Sequence, residues 1–194
     1  DFGIGVFRNV MRTRLLKSEL EAIQDLLKGK TTTAPHSHTG EGIFFTSKIA
    51  DVFILDSFGF RLRVDNIIND VFIEKPEIIN RGTRVEFNIA LDSKRHLNDV
   101  FSRFAVNPAE PGFNKTEIKI RLFVVGSIYI SRSQARRILS GLEKYELIVF
   151  DFDKVVTVGQ AFADEIFRVF KKTHPKIHLE AINMNEPVKF MVKR

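Results

Sequence analysis

The sequence predicts an α/β (α+β) fold of two small domains, the first built around a mostly antiparallel sheet and the second around a mixed sheet with helices. Successive strand-like runs occupy residues 52–91, whereas strands alternate with helices after residue 116. Between them lies a stretch with two prolines and a glycine, residues 105–114. We therefore predict a first domain at 1–92, a linker helix and loop at 93–115, and a second domain at 116–194.

Helical patterns open the first domain. A short helix is expected around residues 7–11, and a better one at residues 18–27. The second helix begins with a capping box at Ser18 and Glu21, in which side chains satisfy the first backbone N–H groups. Its predicted apolar face comprises Leu20, Ile23 and Leu27.

A long loop and a run of strands follow. Residues 28–42, KGKTTTAPHSHTGEG, show no periodicity, and a loop of that length in a compact domain is usually functional. A helix is predicted at residues 43–49. Alternation of apolar and polar residues then predicts antiparallel strands. These strands are expected at residues 52–55, 60–64, 71–73 and 84–91.

The second domain begins its first helix with a capping box at Ser131 and Gln134. The apolar stripe of that helix comprises Ala135, Ile138, Leu139 and Leu142. The predicted order of elements is strand 118–125, strand 128–130, helix 132–145, strand 147–152, helix 161–172, strand 177–182 and helix 187–192. A linker helix is predicted at residues 93–104, before this domain.

Composition narrows the class of protein. The 194 residues contain no cysteine, which excludes disulfide frameworks, thiolate metal sites and cysteine nucleophiles and favours a reducing, cytoplasmic location. No run reaches the ~20 apolar residues of a membrane-spanning helix, so no membrane partner is predicted. The +6 formal charge comes from scattered basic residues and does not indicate nucleic-acid binding.

Two separated pieces of the first domain suit the base of an adenine nucleotide. In residues 1–5, DFGIG, the Asp1 carboxylate is suited to accept a hydrogen bond from the exocyclic amino group of adenine. Gly3 and Gly5 would let the backbone approach the ring. At the start of a strand, the Thr83 hydroxyl is suited to support that carboxylate or to bridge to the base through water; the alternative is that Thr83 is an ordinary strand residue.

A third piece suits the phosphates. In TGEGI, the residues Thr39, Gly40, Gly42 and Ile43 open a predicted helix, whose free N–H groups and dipole favour a polyphosphate. Lys30 lies in the preceding loop, from which its ammonium group is expected to reach a phosphate.

These three pieces resemble, in order, motifs of the GHKL (histidine-kinase-like) ATPases. DFGIG resembles the first glycine box, TGEGI the second, and GTRVEF the terminal strand with its threonine. The resemblance implies a sandwich that binds ATP with Mg²⁺ under a mobile lid, here residues 28–39. In the family a helix before the first glycine box supplies the Mg²⁺ ligand. We therefore expect a truncated domain without that helix, with no catalytic or metal-binding residue of its own, that binds nucleotide poorly and hydrolyses nothing.

The second domain carries a separate resemblance. LIVFDFDKVVTVGQAFADEIFRVF resembles the strand, loop and helix of STAS domains, and more closely the STAS-like domain of unknown function that follows such ATPase domains in bacterial proteins. Relatives with a switch function have a phosphorylatable serine in the loop before the helix. Here Gly159 and Gln160 occupy that place, and Thr157 is the nearby hydroxyl.

The leading hypothesis is an ATP-binding regulatory or signalling protein, in which the nucleotide site is coupled to a STAS-like domain that meets a regulatory protein partner. Two alternatives are an anti-sigma-type Ser/Thr protein kinase and a non-enzymatic transcription-regulator module. A homodimer is left open.

Overall fold

The computed structural model describes residues 1–107, 109, 112–123 and 129–194. It divides into two compact units, Asp1–Val100 and Phe101–Arg194. The first contains an antiparallel sheet and the second a parallel sheet, each packed with helices, so the predicted α+β class is confirmed. The domain bounds given above stay a prediction.

The first unit begins with three helices, α1 (Val6–Thr13), α2 (Glu19–Lys28) and α3 (Gly42–Ile49). All three were predicted. Ser18 caps α2, because its hydroxyl oxygen accepts a hydrogen bond from the backbone nitrogen of Glu21 at 3.3 Å. The chain between α2 and α3 forms neither helix nor strand, as its composition predicts.

The buried face of α2 differs from the predicted one. Leu20 and Leu27 are half-buried, whereas Ala22, Ile23 and Leu26 are buried together with the polar Gln24, Asp25 and Lys28. The helix packs against α1, α3 and the second strand of the sheet, so it is enclosed on more than one side. A single apolar stripe therefore does not identify its contacts.

Four antiparallel strands complete the first unit, in the order β3-β2-β1-β4. They are β1 (Val52–Ser57), β2 (Phe60–Asp65), β3 (Asp70–Glu74) and β4 (Arg84–Asn88). The core beneath them includes Phe53, Leu55, Leu62, Val64 and Val71. The predicted fourth strand was too long, because the Ala90 N–H donates to the Asp51 carboxylate at 2.8 Å and the chain turns out of the ladder.

The second unit has a three-stranded sheet in the order β5-β6-β7. Its strands are β5 (Lys115–Lys119), β6 (Leu147–Asp151) and β7 (His178–Ile182). These strands all run parallel, whereas a mixed sheet was expected. Helical segments connect each strand to the next, and a crossover through a helix allows the next strand to run parallel to the one before it.

The helices of this part of the chain are α4 (Leu97–Arg103), α5 (Arg132–Leu139), α6 (Gln160–Asp164), α7 (Lys171–Thr173) and α8 (Glu186–Lys193). A π-helical segment, Glu165–Phe170, joins α6 to α7 without a break. The predicted Ser131 and Gln134 capping box is confirmed, and the stripe from Ala135 to Leu142 is buried. The prediction of α5 as far as residue 145 was wrong, because Gly141 takes φ +78 and ends the helical path.

The first predicted strand of the second domain begins earlier than expected. After β5 the chain forms a 3₁₀ turn, Ile120–Leu122. The end of predicted strand 118–125 and the start of strand 128–130 lie outside the described residues. Tyr129 forms an isolated parallel bridge with Val158. In the described ranges no helix has the length and apolar character to cross a membrane.

Candidate functional site

A cleft of about 520 Å³ opens beside α1, next to the loop between α2 and α3. Apolar side chains of the helices form part of its wall, and hydroxyl, amide and imidazole groups form the rest. It is lined by Val6, Asn9, Val10, Leu26, Thr31, Thr32, Thr33, Ser37, His38, Thr39, Gly40, Glu41, Gly42 and Ile43. Since none of these described residues is Lys or Arg, an anion here would be bound by hydroxyl and backbone N–H groups.

The two ends of the lining loop touch each other at Thr31 and Gly40. Gly40 takes φ +76, and a Cβ atom built on it would lie 2.5 Å from the carbonyl carbon of Thr31. The Thr31 hydroxyl in turn donates to the carbonyl oxygen of Asp25, at 2.8 Å. Gly40 is therefore required for the close backbone approach that closes the loop, independently of any ligand.

Gly42 has a different environment at the start of α3. A Cβ atom on this residue would meet no heavy atom within 4 Å. Glu41 occupies the N-cap position, and no side chain caps the helix. The helix begins at the wall of the cleft, where its N-terminal partial charge favours an anion. The packing of this chain gives no steric reason for a glycine at position 42.

Asp1 and Thr83, far apart in sequence, are hydrogen-bonded neighbours. The Asp1 nitrogen donates to the Thr83 carbonyl oxygen at 2.8 Å, and the Thr83 N–H donates to Asp1 Oδ1 at 3.2 Å. Oδ1 also accepts from the Gly3 N–H, at 2.9 Å. Gly82, with φ +78, makes this approach possible, since a Cβ atom there would lie 2.1 Å from the Asp1 carbonyl oxygen. The Asp1 carboxylate is thereby held in place while the residue stays exposed.

The predicted site residues thus fall into two groups. Thr39, Gly40, Gly42 and Ile43 line the cleft, whereas Asp1, Gly3 and Thr83 form the second group, outside its lining. The two groups meet at the first turn of α1, because the Val6 N–H donates to Thr83 Oγ1 at 3.0 Å and Val6 also lines the cleft. The assignment of these residues to a nucleotide stays a prediction.

Gly5 and Lys30 have other surroundings. A Cβ atom on Gly5 would lie 2.4 Å from Ser57 Oγ and 2.5 Å from the Phe58 ring, so packing within the chain explains this glycine. Lys30 is half-buried with φ +49 and is not part of the cleft lining.

Sequence analysis missed the contribution of α1 to the cleft. Val6, Asn9 and Val10 are spaced so that they share one helix face, and this spacing is the signal that identifies them. The Asn9 amide nitrogen donates to Thr33 Oγ1 at 3.3 Å, which connects the helix to the loop. The threonine run 31–33 was visible in the sequence as part of the loop only.

In the second unit, polar groups meet at the carboxyl ends of the strands. Asp151 Oδ1 accepts hydrogen bonds from the Asn183 side chain at 2.8 Å and from the Asp153 N–H at 2.9 Å. The Lys119 ammonium group lies 3.9 Å from Asp151 Oδ2. These contacts hold the start of the loop that leads to α6.

Gly159, in the same loop, stands where the phosphorylatable serine was expected by resemblance to STAS domains with a switch function. A Cβ atom on Gly159 would lie 2.8 Å from the Ile130 Cα atom, so a serine side chain would require the backbone to shift. The Gly159 N–H donates to the Tyr129 carbonyl oxygen. Thr157 is exposed in the same loop.

Arginines surround two acidic residues between α5 and the π-helical segment. Glu165 is buried, and Arg136 Nε lies 2.6 Å from its Oε1. This hydrogen bond raises the pKa of Arg136. The hydrogen bond from Arg168 lowers the pKa of the neighbouring Asp164. Residues 101–194 carry 16 Lys and Arg against 10 Asp and Glu, which accounts for the whole +6 charge.

Comparison with known proteins identifies part of this unit. Residues 134–189 match the family model described as a STAS-like domain of unknown function (DUF4325). The chain contains a STAS-like domain. The match runs from α5 through β6, α6 and β7 into α8. No curated protein and no solved structure matches the chain, and the resemblance of residues 1–92 to the GHKL ATPases stays a prediction.

Proposed function

We propose that the chain is an ATP-binding regulatory protein, in which nucleotide bound within residues 1–92 changes how the STAS-like domain meets a protein partner. One observation carries this proposal. The Val6 N–H donates to Thr83, which belongs to the group expected at the base, and Val6 also lines the cleft that contains the residues expected at the phosphates. A nucleotide extends from a base to a phosphate tail and would need both positions.

The cleft suits the phosphate tail. The N-terminus of α3 opens at its wall, and that helix is eight residues long. Gly42 leaves open space there, so a phosphate oxygen can approach the backbone. Hydroxyl groups of Thr32, Thr33 and Thr39 add donors. Because no Lys or Arg side chain lines the cleft in the described residues, Mg²⁺ bound with the nucleotide would supply the positive charge.

Asp1 suits the base. Its Oδ1 atom is held by two N–H groups, so the carboxylate is oriented before any ligand arrives. The residue is exposed, which leaves Oδ2 accessible to an amino group of the base. A Cβ atom on Gly3 would meet only Asp1 Oδ1, at 3.4 Å, so the backbone beside the carboxylate is open to a flat ring.

In this proposal the STAS-like domain is the part of the chain whose contact with a protein partner responds to the nucleotide. In the proposal this domain contacts the partner, and its loop before α6 carries exposed Val156 and Thr157. Nucleotide occupancy would order the loop over the cleft and so alter the surface available to a regulatory partner.

Isothermal titration calorimetry of the full-length protein with MgATP and MgADP measures the nucleotide affinity and tests the proposal. We expect binding, and we expect Asp1→Asn to weaken it by about 10- to 100-fold, since a hydrogen bond to a charged group contributes about 1.5–3 kcal/mol. Asp92→Asn, at an exposed position outside both groups, should leave the affinity unchanged. Absence of binding, or equal affinities of the wild type and Asp1→Asn, would refute a nucleotide site here.

A further inference from the structure

Exposed basic side chains lie on α5 and on the helical run that continues from α6. Arg132 and Arg136 are one turn apart on α5, and Arg168 and Lys172 are one turn apart on the neighbouring run. The two helical runs pack against each other. The side chains of Arg132, Arg136 and Arg168 are 56%, 66% and 69% exposed, and Lys172 is exposed as well. These four residues form the basic surface.

Two carboxylates beside the basic surface hold its arginine side chains in place. Glu165 is only 5% exposed, and its Oε1 accepts a hydrogen bond from Arg136 Nε at 2.6 Å. Arg132 Nε lies 3.9 Å from Oε2 of the same residue. Asp164 accepts a hydrogen bond from Arg168 Nε at 2.8 Å. Because the contacts of Arg132 and Arg136 within the described residues involve Nε, their terminal guanidinium nitrogens are available to a ligand.

The basic surface keeps an excess of positive charge. Its four cationic side chains are accompanied by the carboxylates of Asp164 and Glu165, and both carboxylates are already paired. A guanidinium group held in one orientation loses less conformational freedom on binding, and its planar donors match the geometry of a carboxylate. The surface is therefore prepared to bind further anionic groups.

The side chains around the basic surface favour carboxylates over nucleic acid as the bound anion. The bases of single-stranded nucleic acid are bound largely by stacking on aromatic side chains. Residues 132–139 and 160–173 are all described, and each aromatic side chain among them is buried or half-buried. The basic surface therefore offers guanidinium groups without an exposed aromatic ring for a base.

We propose that the basic surface binds an acidic segment of the protein partner, with carboxylate side chains against Arg132 and Arg136. These arginines are four residues apart on a helix, which places them about 6 Å apart along its axis. Alternate residues of an extended chain are separated by roughly 6.6 Å. An extended segment with acidic residues at alternate positions therefore matches the two arginines.

This inference names the partner chemistry of the proposed function and rests on its partner contact, but it requires no nucleotide. Because the arginines are exposed, binding is expected to be weak, with a dissociation constant on the order of 10 to 100 µM near about 50 mM salt. Raising the salt to about 500 mM should weaken binding by roughly tenfold or more, since exposed charges are screened.

Fluorescence anisotropy of the full chain without nucleotide tests the proposal. The probe is a labelled peptide of about 12 residues in which glutamate alternates with serine. The same peptide with glutamine in place of glutamate should not bind. A single-stranded oligonucleotide of equal negative charge should bind no more tightly than the acidic peptide.

Charge reversal locates the site. Arg136→Glu should weaken binding of the acidic peptide by about tenfold or more, because an attraction becomes a repulsion. Arg132→Glu should do the same if Arg136→Glu folds poorly by circular dichroism, since an acidic residue in the first turn of a helix is favourable. Lys17→Glu is the matched control: it changes the net charge equally at an exposed position of the first unit, and it should bind like the wild type.

Three outcomes would overturn the proposal: an acidic peptide that does not bind, arginine variants that bind it as tightly as Lys17→Glu, or an oligonucleotide that binds about tenfold more tightly than the peptide. The result is separate from that of the nucleotide titration. A chain that binds MgATP but not the peptide would refute only the basic surface as a docking site. A chain that binds the peptide but not MgATP would refute only the nucleotide site.

Discussion

Replacing Gly40 with alanine is expected to lower the free energy of unfolding of the first unit by about 2 to 5 kcal/mol. Gly40 takes φ +76, where an alanine side chain costs roughly 1–2 kcal/mol. Its methyl group would lie 2.5 Å from the Thr31 backbone, and moving a packed backbone costs about 1–3 kcal/mol more. The loop would therefore open at its base.

Gly42→Ala is the matched control for this experiment. The added methyl group meets nothing within 4 Å, and alanine is the better helix former, so stability should be unchanged or slightly increased. If the cleft binds phosphate, the same substitution should weaken nucleotide binding by occupying the open space. The pair of variants thus separates a glycine required by the fold from a glycine required by a ligand.

Urea unfolding followed by two signals measures the effect. Far-ultraviolet circular dichroism reports on both units, whereas both tyrosines, Tyr129 and Tyr145, lie in the second unit. For Gly40→Ala the dichroism transition should begin at least roughly 1 M urea earlier, while the tyrosine transition stays in place. A Gly40→Ala protein as stable as the wild type, or a Gly42→Ala protein destabilised as much, would refute the argument.

Three further predictions concern the second unit. Asn185→Ala removes the cap of α8, whose Oδ1 accepts the Val188 N–H at 2.9 Å, and should cost about 1–2 kcal/mol in chemical unfolding. Because Arg168 lowers the pKa of Asp164, the stability that Asp164 contributes is present above the ordinary pKa of 3.8 and is lost as the pH falls through the folded-state value. In Asp164→Asn, the free energy of unfolding should therefore fall less steeply as the pH is lowered than in the wild type. Burial raises the pKa of Tyr129 above the ordinary value of 10.0. Titration followed by ultraviolet absorbance should therefore show a phenolate forming at higher pH than in free tyrosine, and Tyr129→Phe should remove that high-pH absorbance change.

Local patterns in the sequence were sufficient for much of the fold. The Ser131 and Gln134 capping box predicted the start of α5, and the period-two alternation predicted the antiparallel strands. These signals depend on neighbouring residues only, and the structure retains them. The end of α5 depended on Gly141, whose left-handed backbone was not recognised in advance.

Features that depend on contacts between residues distant in the sequence could not be predicted from local patterns. The sequence alternation of β4 predicted a strand but gave no sign that Val85 and Phe87 would be exposed, since that follows from their place at the sheet edge. Nothing in the sequence indicated that a Cβ atom on Gly5 would meet Ser57 and Phe58, which are more than 50 residues away, and the ligand role of Gly5 stays a prediction. Burial of Asp25 in α2 also arises from packing with several neighbours.

Only part of the candidate site was predicted, because the rest of it also depends on contacts between residues distant in the sequence. The glycines at positions 40 and 42 were visible together, but only the three-dimensional neighbours show that Gly40 closes a loop and Gly42 faces open space. The motifs suggested that the Thr83 hydroxyl supports Asp1, whereas in the structure the Thr83 backbone N–H donates to the Asp1 carboxylate and the hydroxyl accepts from Val6. The contribution of Asn9 was not predicted, although its spacing with Val6 and Val10 along α1 puts the three residues on one helix face.

The contact between Thr31 and Gly40 has a consequence for variation in this chain. Because the two ends of the loop touch, the distance between α2 and α3 is set at that contact and not by the number of residues in between. Insertions near exposed Ser37 should therefore change the length of the loop and the lining of the cleft but not the helix spacing, at a small entropic cost that grows slowly with length. Homologous chains would be free to differ in loop length there while keeping the same helix spacing.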